Sequence, residues 1–412
     1  MAMVGDVIRR ALGAALRNVR YSALFLLAGS EALIVEWLLR ATTGSSLGLA
    51  RGAAAVCGLA LMNVVTLALL PSLARRTSGG YRLGRFWLVG SLGALISGPP
   101  LALAFALVAP LTWLHRSAAE TLLIAGGGAA VAVGFGSMFW GWVIGQRRVE
   151  VERLDLPLRG LPDALGGLRL AQISDLHVGM QLRAPQLRRL LSRVNALEPD
   201  LIVITGDIFD FDPRYIEEGC RELAKLDAPL GVFAVLGNHD VYTGAEAVAQ
   251  GLATWTSIRL LRDEWVRIEL EGGALALAGV EDTGRGWNDR DATHDALERL
   301  AGEIPADLAR VLLIHRPSWF AQAARLGFPL ALAGHTHGGQ IALPAPAQHQ
   351  NVSRLISRWT RGLFQDAETG ALLYVNRGLG VAGPPVRLNC SREISLLRLL
   401  AARNHSKLDR HA

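Results

Sequence analysis

Lysine is almost missing. Lys225 and Lys407 are the only two in 412 residues, so arginine carries nearly all the positive charge. A bias that runs the whole length reflects composition rather than a site. Cysteine is scarce too: Cys57, Cys220 and Cys390 make no CxxC pair, and Cys57 lies in an apolar run. That excludes a disulfide framework and a zinc ribbon, and it fits a reducing compartment. Acids are rare in the first third. Residues 1–150 hold 13 Arg against 5 acids, whereas residues 151–412 hold 29 basic and 31 acidic residues. The excess of positive charge therefore belongs to one part of the chain. It lies between apolar runs, which argues for membrane loops and against a nucleic-acid partner. No internal repeat is visible.

What is present in the first third is long apolar sequence. Four spans stand out, at about 22–40, 53–74, 86–114 and 119–145. Each approaches or exceeds the roughly 20 residues that cross a bilayer. The third is over-long and carries Pro99-Pro100 at its middle; one kinked span is expected there, with a re-entrant loop as the alternative. The stretch 1–20 is short, amphipathic and Arg-bearing, and no cleavage site follows it. Arginines cluster before span one, between spans two and three, and after span four. Four spans with both ends inside follow from that bias, giving a multi-pass inner-membrane domain over 1–147 and a cytoplasmic remainder. Glu31 falls inside span one; a hydrogen bond to a neighbouring helix, with Asn63 of span two as its candidate partner, is expected, and a functional intramembrane carboxylate is the alternative. Glu36 and Arg40 have the spacing of a helical ion pair.

Residues 148–167 read as a linker, and from residue 168 the texture changes to short apolar runs ending in polar residues. Strands are expected at 168–173, 200–205 and 231–236, with helical leucine spacing at 186–197 and a helix-like segment at 215–226. The interval of about 30 residues is that of a strand–helix–strand unit. Residues 259–270 and 274–280 read as a hairpin across Glu271-Gly272-Gly273. Further strands are expected at 311–314, 329–333, 372–376 and 394–400, and a polar tail at 401–412.

Polar blocks stand at the strand ends: Asp175-x-His177, Gly206-Asp207, Gly237-Asn238-His239-Asp240, His315, and Gly334-His335-x-His337. Five of the ten histidines fall in them. Residues i and i+2 on an extended segment share a side, so His335 and His337 are expected to point together. Taken singly, each block could be a cap, a turn or a core residue. Five blocks rich in Asp, Asn and His at successive strand ends converge on one sheet edge, and burying such groups without partners would be costly.

In order and spacing these blocks resemble the calcineurin-like metallophosphoesterase family, and in particular its membrane-attached bacterial branch, which includes enzymes acting on lipid-linked phosphate esters. The resemblance covers about 168–400, with all five blocks unsubstituted; Asn376-Arg377-Gly378-Leu379-Gly380 is also similar. It implies an α/β fold, a four-layer α/β/β/α sandwich over 168–400 behind the four-span domain. It implies two divalent metal ions, Mn, Fe or Zn. Asp175, His177 and His337 would hold the first, Asn238, His315 and His335 the second, and Asp207 both. The implied activity is hydrolysis of a phosphodiester or pyrophosphate bond by a metal-activated hydroxide. His239 would protonate the leaving group or stabilise phosphoryl charge, with Asp240 as the candidate to orient it; Asp210, three residues after Asp207, is read either as a carboxylate behind the ligands or as a turn residue. Arg316 and Arg377 are candidate substrate contacts.

Substrate identity, lipid-borne or otherwise, and oligomeric state stay open in the sequence. One further expectation concerns 351–364. Val352, Leu355, Ile356, Trp359 and Leu363 form a helical stripe with Arg354, Arg358 and Arg361 off it, the pattern of an interfacial helix, with a helix on the domain core as alternative. A competing function is a membrane sensor or scaffold whose metallophosphoesterase domain is catalytically silent. The intact ligand set and His239 speak against it.

Overall fold

The computed structural model describes residues 2–76, 78–284, 294–355 and 357–402. The chain divides into two compact units, residues 1–143 and 144–412.

The first unit is helical: α1 (Ala2–Thr43), α2 (Gly48–Arg76), α3 (Ser78–Val108) and α4 (Arg116–Val143). Pro99 and Pro100 lie inside α3, which runs through them as one helix into a short 3-10 turn, Ala109–Trp113. The segment is thus one continuous helix, as a single span requires. Among the described residues three helices are long and apolar enough to cross a membrane, over Gly48–Leu69, Gly79–Trp113 and Arg116–Arg147. The expected count of four is thus corrected to three. The described part of the first expected span, residues 23–40, carries Glu31, Glu36 and Arg40, and this charge load sets it apart from the other helices. The stretch 1–20 lies outside the residues whose side chains are described.

Both expected polar pairs form. Asn63 Nδ2 donates to Glu31 Oε2 at 2.8 Å, and Arg40 Nε to Glu36 Oε1 at 2.5 Å. Small residues let the helices come close, as is usual in apolar bundles. Ser97 of α3 is buried, and a Cβ added to Gly134 of α4 would collide with it.

The second unit opens on a short 3-10 turn, Gly145–Arg147, and then a strand. Residues 148–167 are not a free linker: β1 (Val149–Leu158) pairs in parallel with the last strand, β12 (Arg392–Ala401), over ten residues. Sequence reasoning took Pro157 and Gly160 as linker punctuation and overlooked the apolar positions Val149, Val151, Leu154, Leu156 and Leu158. The next elements are β2 (Leu168–Ile173), α5 (Ala184–Asn195), β3 (Leu201–Thr205), α6 (Ile216–Leu223), β4 (Val232–Val235), α7 (Asn238–Trp255) and β5 (Arg259–Leu260). They alternate strand and helix, as the spacing predicts. Residues 259–270 are split: β5 closes one sheet, whereas β6 (Glu264–Leu270) opens the other and forms the expected hairpin with β7 (Gly273–Gly279). Then come α8 (Asp295–Glu303), β8 (Ala309–Leu313), α9 (Phe320–Arg325), β9 (Leu330–Ala333), β10 (Gly362–Gln365) and β11 (Leu372–Val375).

Two six-stranded mixed sheets result, in the orders β1-β12-β2-β3-β4-β5 and β10-β11-β9-β8-β7-β6. β2, β3 and β4 run parallel, with Ile173 beside Ile204 and Ile204 beside Ala234. β7, β8, β9 and β11 also run parallel. Leu170, Val203, Leu277, Leu332 and Leu399, all fully buried, belong to the core between the sheets. Each such leucine contributes about 1.5–3 kcal/mol relative to exposure. Leucines of α5 and α6 cover the outer face of the first sheet, and α8 and α9 that of the second. This is the expected four-layer α/β/β/α sandwich.

The helix expected over 351–364 is absent. Residues Val352–Leu355 make a 3-10 turn, and Gly362, at φ 80°, starts β10. Trp359 packs on the core beneath the second sheet, its ring centroid 5.4 Å from that of Phe320. Ser353 Oγ donates to Thr336 O at 2.7 Å and Thr336 Oγ1 to Thr360 O at 2.6 Å, so side-chain bonds to backbone replace the helical ladder. Ile356 and residues 403–412, including most of the polar tail, lie outside the described residues.

Candidate metal centre

Parallel strands end on one edge, and the polar blocks follow those ends. Asp175 and His177 come after β2, Asp207 after β3, and Asn238 opens α7 after β4. From the second sheet, His315 follows β8, and His335 and His337 follow β9. Asp175, His177, Asp207, His335 and His337 all have left-handed backbone, with φ of 49°, 49°, 51°, 71° and 51°. Asp and His enter that region more readily than most residues, and here it stops each ladder and turns the side chain into one cluster. Two glycines allow the crowding. A Cβ at Gly237 would strike Asp207, and one at Gly334 would strike Ser174 and Asp175.

The side chains meet in two groups. Asp175 Oδ1 lies 3.4 Å from His337 Nε2, which is 2.9 Å from His177 Nε2. Asp207 Oδ2 lies 3.2 Å from His315 Nε2, which is 3.2 Å from His335 Nδ1. Asp207 Oδ2 also approaches His177 Nε2 at 3.6 Å, so this carboxylate joins the groups. His335 and His337 do not point together, contrary to the period-two expectation. The left-handed turns at both residues send one imidazole to each group.

These residues fit a pair of cations. Asn238 Oδ1 is buried without a hydrogen-bond partner, an orphaned acceptor of the kind a metal satisfies. Burial, then the neighbouring His315 and His177 respectively, hold His335 and His337 well below the usual imidazole range, which leaves both neutral with lone pairs. Burial also opposes a positive His177, yet Asp210 and Asp207 raise it to about 8; Asp207 likewise raises buried His315 to about 10. The carboxylates that favour protons there would equally favour a cation, which displaces protons on binding. Burial works against charge on Asp207, but His315, His239 and His177 outweigh it and hold the carboxyl well below its usual range.

His239 stands beside the groups, its ring centroid 4.5 Å from that of His177. Its backbone N–H donates to Asp207 Oδ1 at 2.8 Å. Asp240, expected to orient it, does something else. Its carboxylate accepts from the backbone N–H groups of Gly237, Ile208 and Phe209 at 2.9, 3.1 and 2.8 Å, bracing the β3 and β4 turns. The residue that faces the His239 ring is Asp210, whose Oδ1 lies 2.9 Å from Nδ1 and 3.4 Å from His177 Nδ1. Burial pushes Asp210 up, but its contacts with the two imidazoles prevail and hold it at about 2.

Arg316 and Arg377 are both buried in ion pairs. Arg316 binds Asp282 through Nε at 2.5 Å and Nη2 at 3.0 Å. Arg377 meets Glu393, Glu150 at 2.9 Å and Glu152 at 2.6 Å, which knits β1 and β12 to the segment after β11. Sequence reasoning missed Arg387. It is 1% exposed and donates through Nη2 to the carbonyls of Arg377, Gly378 and Gly380 at 2.8, 3.1 and 2.7 Å, with His337 Nδ1 3.4 Å away. It lies in irregular chain between β11 and β12, where no periodicity marks it.

The profile of the family described as Calcineurin-like phosphoesterase matches residues 168–339. An uncharacterised metallophosphoesterase of Campylobacter jejuni is 30% identical over 250 residues, 61% of this chain and 63% of that one. A transmembrane protein with metallophosphoesterase domain from Bos taurus is 32% identical over 268 residues, 61% of this chain and 57% of that one. The uncharacterised metallophosphoesterase YkuE of Bacillus subtilis is 32% identical over 244 residues, 58% of this chain and 81% of that one. The chain thus spans about six-tenths of the length of the first two of these relatives.

Proposed function

Because this chain belongs to the calcineurin-like metallophosphoesterase family, we propose that it is a membrane-attached, metal-dependent phosphoesterase acting on a phosphodiester or pyrophosphate bond. The observation that carries the reading is the meeting of four imidazoles and two carboxylates from both sheets, with Asp207 between the groups. Asp175, His177 and His337 would hold one cation, Asn238, His315 and His335 the other, and Asp207 both. Mn, Fe or Zn suits this mixture of carboxylate, amide and imidazole donors, and when bound would supply Lewis acidity toward a phosphoryl oxygen and a water of lowered pKa.

The chain's own groups do the rest. The backbone bond from His239 to Asp207 fixes where the α7 turn stands against the ligands. Asp210, ionised, faces His239 Nδ1 and leaves Nε2 to give a proton to the departing oxygen or to bind a phosphoryl oxygen. Asp240 holds the turns that carry Asp207 and Asn238. Arg316 and Arg377 act in this reading as braces rather than as substrate contacts.

The membrane attachment supports a lipid-borne ester as substrate. The arginines at 75–85 and 147–153 flank two of the apolar helices and must share a side, whatever α1 does. By the positive-inside rule that side would be the cytoplasm, which supports a metal centre on the cytoplasmic face of the inner membrane. The test is hydrolysis of bis(4-nitrophenyl) phosphate by the full chain with Mn²⁺. Turnover in the wild type that falls by about 10²–10⁴-fold in His239→Ala is expected. A wild type that binds metal and turns over nothing would favour the silent scaffold.

A further inference from the structure

Two large side chains lie at the surface next to His239. Phe211 is 59% exposed and Tyr242 44%. Their rings are parallel, tilted by only 6°, with centroids 5.9 Å apart. The Phe211 centroid is 4.6 Å from that of His239, and the Tyr242 centroid 5.6 Å. The fold holds both in place from different elements. Phe211 follows Asp210 in the turn after β3 and has φ 55°, a left-handed conformation that bulky residues rarely adopt and that concentrates where ligands bind. The turn around it is fixed by Asp210 N donating to Val178 O at 3.1 Å and Asp212 N to Asp210 O at 2.8 Å. Tyr242 stands near the start of α7, and its hydroxyl donates to Gly284 O at 3.2 Å. An exposed aromatic pair, one ring of it held by left-handed backbone, gives the core little; it presents an apolar surface beside the group assigned to the leaving oxygen.

We infer that Phe211 and Tyr242 form a subsite for an apolar part of the substrate, on its leaving-group side. The shared chemistry is a flat or hydrocarbon surface one or two bonds from the scissile oxygen, such as an aryl group, a nucleobase or a lipid chain. A small polar leaving group would leave both rings wet. Naming this the leaving-group side rests on the hydrolase reading; the binding itself does not require turnover.

The experiment measures binding. Phenylphosphonate, octylphosphonate and methylphosphonate are titrated calorimetrically into the Mn²⁺-loaded full chain. The wild type should bind the phenyl compound about tenfold more tightly than the methyl compound, the size expected of two ring contacts. Tyr242→Ala and Phe211→Ala should each bring that ratio toward one and leave methylphosphonate affinity unchanged. Tyr242→Phe, which keeps the ring and loses only the bond to Gly284, should hold the ratio within about twofold. Octylphosphonate separates the sources: a gain equal to the phenyl gain points to lipid chains, a smaller one to flat groups. A wild-type ratio near one, or a ratio that survives both alanine variants, overturns the subsite. Absence of turnover on every ester would instead defeat the hydrolase reading without altering these ratios.

Discussion

The two units use the same apolar alphabet in opposite ways. In the first, large side chains face outward: Leu49 is 95% exposed, Trp113 91% and Val133 68%. In the second, the aliphatic core is sealed between and outside two sheets, and one cluster of charged and polar groups is sealed with it. Asp175, His177 and His315 have no exposure at all. A helix that shows lipid-like residues outward is stable only in an apolar solvent, whereas buried carboxylates and imidazoles persist only where cations or hydrogen bonds compensate them. Composition alone therefore says little; where each class of residue is placed against its surroundings says what the unit is for.

This contrast can be broken, starting with its strongest limb. Asp207→Ala should abolish metal retention and bring phosphodiester hydrolysis to background, while the helical circular dichroism of the first unit stays put. Hydrolysis that persists would detach the activity from this centre. His239→Ala should cost about 10²–10⁴-fold in kcat with metal content unchanged. Loss of metal along with rate would mean that His239 holds the site together instead of serving the substrate.

A milder set sharpens the contrast between buried and exposed charge. Glu393→Ala leaves the Arg377 guanidinium, 3% exposed, without its buried partner and should destabilise the second unit by about 3–5 kcal/mol in denaturant titration. A change under about 1 kcal/mol would show that Glu150 and Glu152 suffice. Asp210→Asn should lower kcat by about 10–100-fold, since it loosens both the His239 and the His177 imidazoles. The smallest effect lies in the helical unit. A double-mutant cycle on Glu31 and Asn63 in detergent should give a coupling of about 0.6 kcal/mol. A value several times larger would mark the pair as more than helix glue.

Much of the sandwich and most of the centre could be read from sequence, because both rest on short-range signals. Apolar runs of four to six residues ending in Asp, Asn or His gave β2, β3, β4, β8 and β9 within a residue or two, and the strand ends carried the clustered side chains with them. What escaped depended on tertiary context. β1 was passed over because Pro157 and Gly160 suggested punctuation, while its pairing partner lies more than 230 residues away. The stripe at 351–364 had helical spacing, but Trp359 found the core and the hydroxyls of Ser353 and Thr336 found backbone carbonyls. Asp210, not Asp240, reaches the His239 ring, because the fold of the turn after β3 and not sequence distance decides which carboxylate arrives there. The His335–His337 pair was read on an extended geometry that left-handed turns at both residues replace.

The central claim is that seven side chains from both sheets hold two cations through a shared Asp207. Its most direct test is the metal content of the purified full chain after Mn²⁺ loading and desalting, read by elemental mass spectrometry beside Asp207→Ala. Two ions per chain in the wild type, with both sites depleted in the variant, is the predicted result. One ion or none in the wild type, or two retained without Asp207, would contradict it.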